Sequence, residues 1–297
     1  MRIHSLLQPM RSLIFRSLAL VVAAVLVPAL AIQPNVAGAN GAGLLPTNTY
    51  CNLPQADFTI PEGKYLYAFS WNGIPSAHGE LVVSLDGTHE SEQYCFAATA
   101  STSGIVDALW KFRAHATAIV DGSTGRATKI HVFQQENTRI RETETLFDYE
   151  TSWAHYTRWK RDRVRRKTIT LGDDIIDPVS LGLIICEQPL RVGDVTVVTV
   201  LFGDDRYALE YEVCARERVS LGDREVEALR IEPKFHKIED EKKGKPPKVK
   251  EMTLWLSDSQ PRIPLLMKSR TFVGSVTGEL VRMIAAGDAE GNSAPAS

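Results

Sequence analysis

The chain has 297 residues, of which 44% are hydrophobic and 24% are charged, and its formal net charge at pH 7 is −2. These values are typical of a globular protein. The mildly acidic balance argues against nucleic acid as a partner. An all-β fold can use a chain of this length as a single domain, so any function must be inferred from local patterns.

The N-terminus has the layout of a secretory signal peptide. Three arginines, Arg2, Arg11 and Arg16, precede the uncharged apolar run Leu18–Leu30. This run is shorter than the roughly 20 residues that a membrane-spanning helix needs. We predict a signal peptide over residues 1–31. Its removal changes the net charge from −2 to −5, because it carries these three arginines and no acidic residue.

Two small-x-small patterns, Ala29-Leu30-Ala31 and Ala37-Gly38-Ala39, are candidate cleavage positions, so the signal peptide ends at residue 31 or as late as residue 39. Cleavage would release the protein into the periplasm. The alternative is an uncleaved N-terminal helix that anchors the protein in the membrane. Both interpretations place the bulk of the chain outside the cytoplasm.

The remaining chain divides by composition. Residues 32–60 are rich in Ala, Gly, Asn and Pro and are predicted to be a linker. Residues 61–284 are predicted to form a single β-rich domain, and residues 285–297 a flexible tail. Within the domain, short runs of alternating apolar and polar residues are separated by turn residues. About a dozen such runs predict a mainly β fold, a large curved antiparallel sheet or a partly open barrel. Glu239–Lys250 interrupts them as a charged loop.

One predicted hairpin raises the question of a metal site. Trp110–Val120 and Arg126–Gln135 flank a five-residue turn. Pairing that is symmetric about Ser123 places the apolar residues on one face and His115 directly opposite His131. Two histidines lack the further ligands that a metal needs, so we predict no metal site and no cofactor.

One segment breaks the strand pattern. Asp177–Cys186 begins with a capping Asp177 and a proline at the first helical position, and an apolar run follows. These features predict one short helix inserted in the sheet. Its bulky side chains favour a plug over the concave face. The alternative is a helix at the rim, which leaves a cavity.

Aromatic residues alternate along the first strand, and further rings fall on neighbouring strands. Each ring buries about 150–250 Å², so we predict that they lie inside the curved sheet. With the helix at the rim, the same rings line an apolar pocket for an acyl chain or a similar ligand. The residues of this predicted apolar pocket are Tyr65, Tyr67, Phe69, Trp71, Trp110, Phe112 and Trp255.

The segment Arg158–Lys167 carries seven basic residues in ten. Such segments bind phosphate head groups or acidic partners, so the expected partners are an envelope lipid, an anionic glycan or another envelope protein. The interpretation that the sequence favours is a solvated edge strand whose charges prevent association between sheets, because runs of charge are usually solvated faces. Direct membrane contact is left open. The predicted binding residues are Trp153, Tyr156, Arg158, Trp159, Lys160, Arg161, Arg163, Arg165 and Arg166.

Four cysteines, Cys51, Cys95, Cys186 and Cys214, are present. Their spacings match no zinc-binding motif. In an oxidising compartment they predict structural disulfides or buried thiols, and three pairings remain open.

Nine short motifs are spread along the domain. They are Gly63-x-Tyr65, Trp71-Asn72-Gly73-Ile74 with Gly79, Phe147-Asp148, Asp177-Pro178-x-Ser180, Arg191-x-Gly193-Asp194, Glu232-Pro233, Leu254-Trp255-Leu256-Ser257-Asp258, Ile263-Pro264 and Gly274-Ser275-Val276. By their order and spacing, the chain resembles the bacterial exported family called domain of unknown function 3108. The resemblance covers roughly residues 61–284. It implies an envelope protein with a β-rich fold and carries over no established activity.

The sequence contains no Gly-x-Ser-x-Gly, Ser-x-x-Lys, Walker or His-Glu-x-x-His motif. We therefore predict a non-catalytic binding or scaffold protein of the envelope. The alternative is a periplasmic hydrolase that uses paired carboxylates, for which Asp148, Asp177 and Asp258 are the candidates. Aspartates that precede helices or lie in turns more commonly act as caps.

Overall fold

The structure is a computed structural model, and it describes residues 61–86, 92–161, 163–238, 250–271 and 274–287. The predicted signal peptide, the linker, most of the charged loop and most of the tail lie outside these residues. Among the described residues, no helix is long and apolar enough to cross a membrane.

Fifteen strands form one continuous sheet in the described part of the chain. This confirms the predicted large curved antiparallel sheet. The count exceeds the predicted dozen because the basic segment forms a strand of its own, β8, and because two residues before the inserted helix form β9. The strands are β1 (Gly63–Trp71), β2 (Ile74–Asp86), β3 (Gln93–Thr102), β4 (Phe112–Asp121), β5 (Arg126–Glu136), β6 (Arg139–Asp148), β7 (Trp153–Lys160), β8 (Arg163–Thr170), β9 (Ile175–Ile176), β10 (Val195–Phe202), β11 (Asp205–Leu221), β12 (Arg224–Lys237), β13 (Lys250–Ser257), β14 (Pro264–Thr271) and β15 (Gly274–Ala285).

The strand order is that of two meanders, and the chain passes from the first to the second between β8 and β9. Strands β1 to β8 follow each other in space, as do β9 to β15, and β1 pairs with β15 in the middle of the sheet. All pairings between β1 and β8 and between β10 and β15 are antiparallel, whereas β9 pairs with β10 in parallel. The two edges of the sheet are therefore β8 and β9.

Two helices interrupt the strands in the described residues. The first, α1 (Gly104–Leu109), is additional to the single inserted helix that the sequence predicted, and the Asp107 carboxylate ties it to β4 through an ion pair of 2.6 Å with Arg113. The second, α2 (Pro178–Glu187), is the predicted helix. Asp177 caps it by accepting hydrogen bonds from the backbone N–H groups of Val179 and Ser180.

Alternate residues of the strands point into a common core, as the period of two predicts. Along β1, Tyr65, Tyr67 and Phe69 are buried. Helix α2 connects the two apolar clusters of the core, because Leu183 belongs to the larger one and Leu181 to the smaller. The face that carries these buried residues is called the inner face below.

The hairpin of β4 and β5 has a register that differs from the predicted one. An irregularity between Ile119 and Val120 shifts the pairing, so that Thr117 lies opposite His131 and His115 lies opposite Phe133. The prediction that the two histidines face each other is therefore wrong. The shift beyond the irregularity is two residues, which keeps the side chains of that part of the hairpin on their predicted faces.

The described cysteines, Cys95, Cys186 and Cys214, are free thiols, and Cys51 lies outside the described residues. His131 pairs with Glu142, with 3.0 Å between Nε2 and Oε1. Among the described residues, no three His, Cys, Asp or Glu side chains are grouped so that they could hold a metal ion.

Candidate functional site

The basic segment occupies the hairpin of β7 and β8, whose register sorts its side chains between the two faces of the sheet. Ala154 and Ile169 are paired and buried, which marks the inner face. Two residues closer to the hairpin turn on each strand, Tyr156 pairs with Lys167. Because side chains alternate between faces, every second residue from there on also belongs to the inner face.

Two further pairs place like charges opposite each other on that face. Arg158 lies opposite Arg165, and Lys160 lies opposite Arg163. On the adjacent strand β6, Thr143 pairs with Arg158, so Arg141, two residues earlier, shares the same face. We call these six cations the inner basic cluster: Arg141, Arg158, Lys160, Arg163, Arg165 and Lys167.

The hydroxyl of Tyr156 lies among these charges. Its side chain is 3% exposed, and burial is the main cause of its raised pKa, with the nearby Asp204 carboxylate adding to it. The positive charges of Arg158, Arg141 and Arg165 act in the opposite direction. Cations from three adjacent strands thus surround one buried hydroxyl.

Among the described residues, carboxylates pair with some of these cations and not with others. Asp204, in the turn between β10 and β11, pairs with Arg165 at 3.1 Å and more distantly with Lys167 at 3.8 Å. In the described part of the chain, Arg158, Lys160 and Arg163 have no carboxylate within ion-pair distance. Since like charges directly opposite each other destabilise a sheet, the cluster favours an anion as its ligand.

The structure divides the predicted binding residues into three groups. Tyr156, Arg158, Lys160, Arg163 and Arg165 lie on the inner face, Arg161 lies in the turn, and Trp153, Trp159 and Arg166 lie on the outer face. The structure thus does not bring the two tryptophans together with the inner cations.

Three contributors to this site were absent from the predicted set. Lys167 lies in the basic segment and shares the parity of Arg165, so strand alternation could have identified it. Arg141 could have been found by pairing the alternating run that contains it with the next run, residues 152–159, as a hairpin. Nothing in the sequence places Asp204 beside them, because it comes from the far edge of the sheet.

The predicted apolar pocket is only partly a common surface. Tyr65, Tyr67, Phe69, Trp110 and Phe112 are each at most 4% exposed and belong to one cluster. Trp110 stacks on Phe112 with ring centroids 5.1 Å apart. Trp71, the sixth predicted residue, is partly buried and packs against the same cluster.

Trp255 is buried in this cluster but lies on the other face of the sheet. Across the neighbouring strands, Trp255 pairs with Leu266, and Leu266 pairs with Glu279. Glu279 in turn pairs with Ala68, which is exposed. The neighbouring row, with Met267 and Phe69, belongs to the inner face. The prediction that Trp255 lines the concave face with the other rings is corrected by this register.

Helix α2 lies across part of the inner face. At its start, the Ala127 N–H of β5 donates to Ser180 Oγ at 2.9 Å, and the Tyr149 hydroxyl donates to Asp177 at 2.9 Å. Burial raises the pKa of the Asp177 carboxyl, although hydrogen bonds that it accepts oppose this shift. At its end, Arg262 donates to the Gln188 carbonyl oxygen at 2.7 Å.

One small cavity lies beside helix α2. Burial raises the pKa of the Cys186 thiol to about 12, and burial likewise raises the pKa values of the Tyr65 and Tyr67 hydroxyls of β1. The cavity between α2 and β10–β11, lined by Leu181 and Tyr211 among others, has a volume of about 30 Å³. That volume suits a water molecule, far below the roughly 300 Å³ of a ligand pocket.

The three candidate catalytic aspartates have separate structural contacts. Asp177 caps α2, and Asp148 accepts from the Thr151 N–H at 3.0 Å in the turn after β6. Asp258 pairs with Arg216 at 3.1 Å. The contacts of Asp177 and Asp148 are the capping and turn contacts that such aspartates commonly make, and that of Asp258 is an ion pair.

The fold defines a β-barrel-like protein built from one open, curled sheet. A family model described as "Protein of unknown function (DUF3108)" matches residues 66–281, and the chain belongs to this family. Among curated proteins, none matches the chain.

Solved structures show similarity at the level of the fold. A β-barrel-like protein of domain of unknown function DUF1849 from Brucella abortus is 12% identical, with a TM-score of 0.51 over 76% of this chain and 98% of that chain. The hypothetical lipoprotein YmcC from Escherichia coli K12 is 9% identical, with a TM-score of 0.28 over 77% of this chain and 90% of that chain. The first likeness supports the barrel-like fold and nothing more specific.

Proposed function

We propose that this is an exported, non-catalytic periplasmic protein that binds an anionic group, carried by an envelope lipid or glycan, through the inner basic cluster. The supporting observation is the concentration of six cations on the inner face of β6, β7 and β8, where Asp204 pairs with two of them, Arg165 and Lys167. Export is supported by the signal-peptide pattern at the N-terminus.

The geometry of one pair explains how an anion would be held. Side chains directly opposite each other on antiparallel strands have Cβ atoms about 4.5–5.5 Å apart. Arg158 and Arg165 can therefore both donate to one phosphate or carboxylate, and guanidinium groups match such anions with two parallel hydrogen bonds. The ligand would offset the repulsion between the two arginines.

The charge of the cluster is local. The whole chain has a formal net charge of −2, so a positive inner surface is not a by-product of an overall basic composition. A localised positive field of this kind attracts anions to one position and repels cations. Binding is thus expected to weaken as salt screens the exposed part of the cluster.

The test is a comparison of two charge-removing variants on the same hairpin. Arg158→Gln combined with Arg165→Gln removes the opposed inner pair, and Arg166→Gln removes one charge from the outer face as a matched control. Because hydrogen bonds to charged groups contribute about 1.5–3 kcal/mol each, we expect the double variant to bind at least about tenfold more weakly and the control to stay within about twofold.

Two probes separate the sources of the anion. Calorimetry with inorganic pyrophosphate tests a phosphate group alone, and co-sedimentation with phosphatidylglycerol–phosphatidylcholine vesicles tests a lipid head group. Unfolding of the double variant by urea should require as much denaturant as the wild type or more, since a repulsive pair is gone. The proposal fails if the wild type binds neither probe, or if Arg166→Gln loses as much affinity as the double variant.

A further inference from the structure

The edge strand β8 lies against the turn that joins β10 to β11, and we call this contact the seam. Lys167 Nζ donates to the Asp204 carbonyl oxygen at 2.8 Å, and the Arg206 guanidinium donates to the Thr170 carbonyl oxygen at 2.8 Å. Gly203 of the same turn lies against the Tyr156 ring. The described contacts across the seam are thus made by side chains, whereas backbone ladders join neighbouring strands elsewhere.

Asp204 connects this seam to the inner basic cluster. Its carboxylate lies 3.1 Å from Arg165 Nη2 and 3.8 Å from Lys167 Nζ, and its side chain is only 17% exposed. Its partners Arg165 and Lys167 are more exposed, at 62% and 41%, so solvent weakens both ion pairs and a stronger anion can replace the carboxylate. The side chain of Asp204 therefore occupies the position beside Arg165 that the anionic group of a ligand would take.

A single carboxylate is a weak match for this cluster. Asp204 carries one negative charge and pairs with Arg165 and Lys167, and it does not reach Arg158, which lies directly opposite Arg165. A phosphate group carries up to two negative charges and three acceptor oxygens, so it could engage Arg158 and Arg165 together. Its approach would also repel the Asp204 carboxylate, because both anions would compete for the same cations.

We propose that Asp204 is an internal occupant of the anion site, and that a bound phosphate group displaces it and thereby loosens the seam between β8 and the β10–β11 turn. This inference rests on the proposed function, since it requires that the inner basic cluster binds an anion. It adds the class of the anion and a conformational consequence of binding.

Binding and seam closure are then linked. A ligand that competes with Asp204 must bind the open seam more tightly than the closed one, and by reciprocity a change at Asp204 that weakens its contact and leaves the cations in place raises the affinity for the ligand. The seam would open when the protein is loaded and close when it is empty.

The test uses whichever probe the wild type binds, pyrophosphate or phosphatidylglycerol vesicles. Asp204→Asn removes the charge and keeps the shape, and Asp205→Asn is the matched control because Asp205 pairs with Lys237 at 2.6 Å. We expect Asp204→Asn to bind about threefold to tenfold more tightly and Asp205→Asn to change affinity by less than about twofold. A tenfold gain corresponds to about 1.4 kcal/mol.

A second measurement needs no variant. Amide hydrogen exchange of the wild type with and without the probe should show faster exchange in residues 203–206 and in β8 when the probe is bound. Unchanged or weaker binding by Asp204→Asn overturns the inference, as does slower or equal exchange at the seam on binding. If the Arg158/Arg165 double variant still loses binding in that case, the proposed function stands and only the displacement of Asp204 is wrong.

Discussion

Gly278 shows how single residues set the packing between strands. It lies on β15 opposite both Phe69 of β1 and Met267 of β14. A Cβ atom at this position would lie 2.6 Å from a Phe69 ring carbon and 3.1 Å from Met267 Cγ. Both neighbours are at most 2% exposed, so they have little room to move. The Phe69 ring occupies the space that a side chain at position 278 would need.

Gly278→Ala should therefore lower the free energy of unfolding by about 1–3 kcal/mol, the usual cost of overpacking a core. Urea denaturation followed by tryptophan fluorescence measures this change. Gly287→Ala is the control, because a Cβ there meets nothing within 4 Å, and it should change stability by less than about 0.5 kcal/mol. Adding Phe69→Leu to Gly278→Ala should recover part of the loss; a further additive loss would contradict the steric explanation.

At the scale of elements, Asp177, the capping residue that precedes helix α2, holds this helix in place. Asp177 is 1% exposed and satisfies the N–H groups of Val179 and Ser180 as well as the Tyr149 hydroxyl. One carboxylate thus caps the helix and, through the Tyr149 hydroxyl, attaches it to the residue that follows β6. Its loss would leave several buried donors without an acceptor.

We expect Asp177→Ala to destabilise the protein by about 2–4 kcal/mol, which combines the loss of a helix cap with buried unsatisfied donors. Equilibrium unfolding in urea gives the value. Asp173→Ala, an exposed carboxylate four residues earlier, should cost less than about 0.5 kcal/mol. Equal effects of the two substitutions would show that the cap does not hold α2 in place.

At the scale of the whole molecule, the compartment decides which anions the inner basic cluster meets. The apolar run of the leader and its two small-x-small patterns predict export with cleavage. Phosphate-bearing lipids and glycans of the envelope are then the available ligands. This part of the proposal rests on the sequence, since residues 1–60 lie outside the described structure.

N-terminal sequencing of protein recovered from the periplasmic fraction should therefore find a mature chain that starts at Ile32 or Asn40. Leu26→Arg, which places a charge in the apolar run, should abolish processing and keep the precursor out of the periplasm. A full-length product that starts at Met1 in the inner membrane would contradict cleavage and favour the anchored form.

The sequence by itself determined the features that depend on local periodicity and capping. Alternation along β1 assigned Tyr65, Tyr67 and Phe69 to one face, because side chains of a strand alternate whatever its partners are. The cap at Asp177 and the proline after it located α2 within one residue at either end. The faces of β4 and β5 were also assigned correctly, because an even shift in register leaves parity unchanged.

Only the tertiary structure decided which residues meet across the sheet. The irregularity after Ile119 moved His115 away from His131, and the pairing of β13 with β14 placed Trp255 on the outer face. The curl of the sheet brought Asp204 to Arg165, 39 positions earlier in the chain. Local patterns determine the direction in which a side chain points. Strand irregularities and sheet curvature, which arise from packing of the whole chain, determine what it meets.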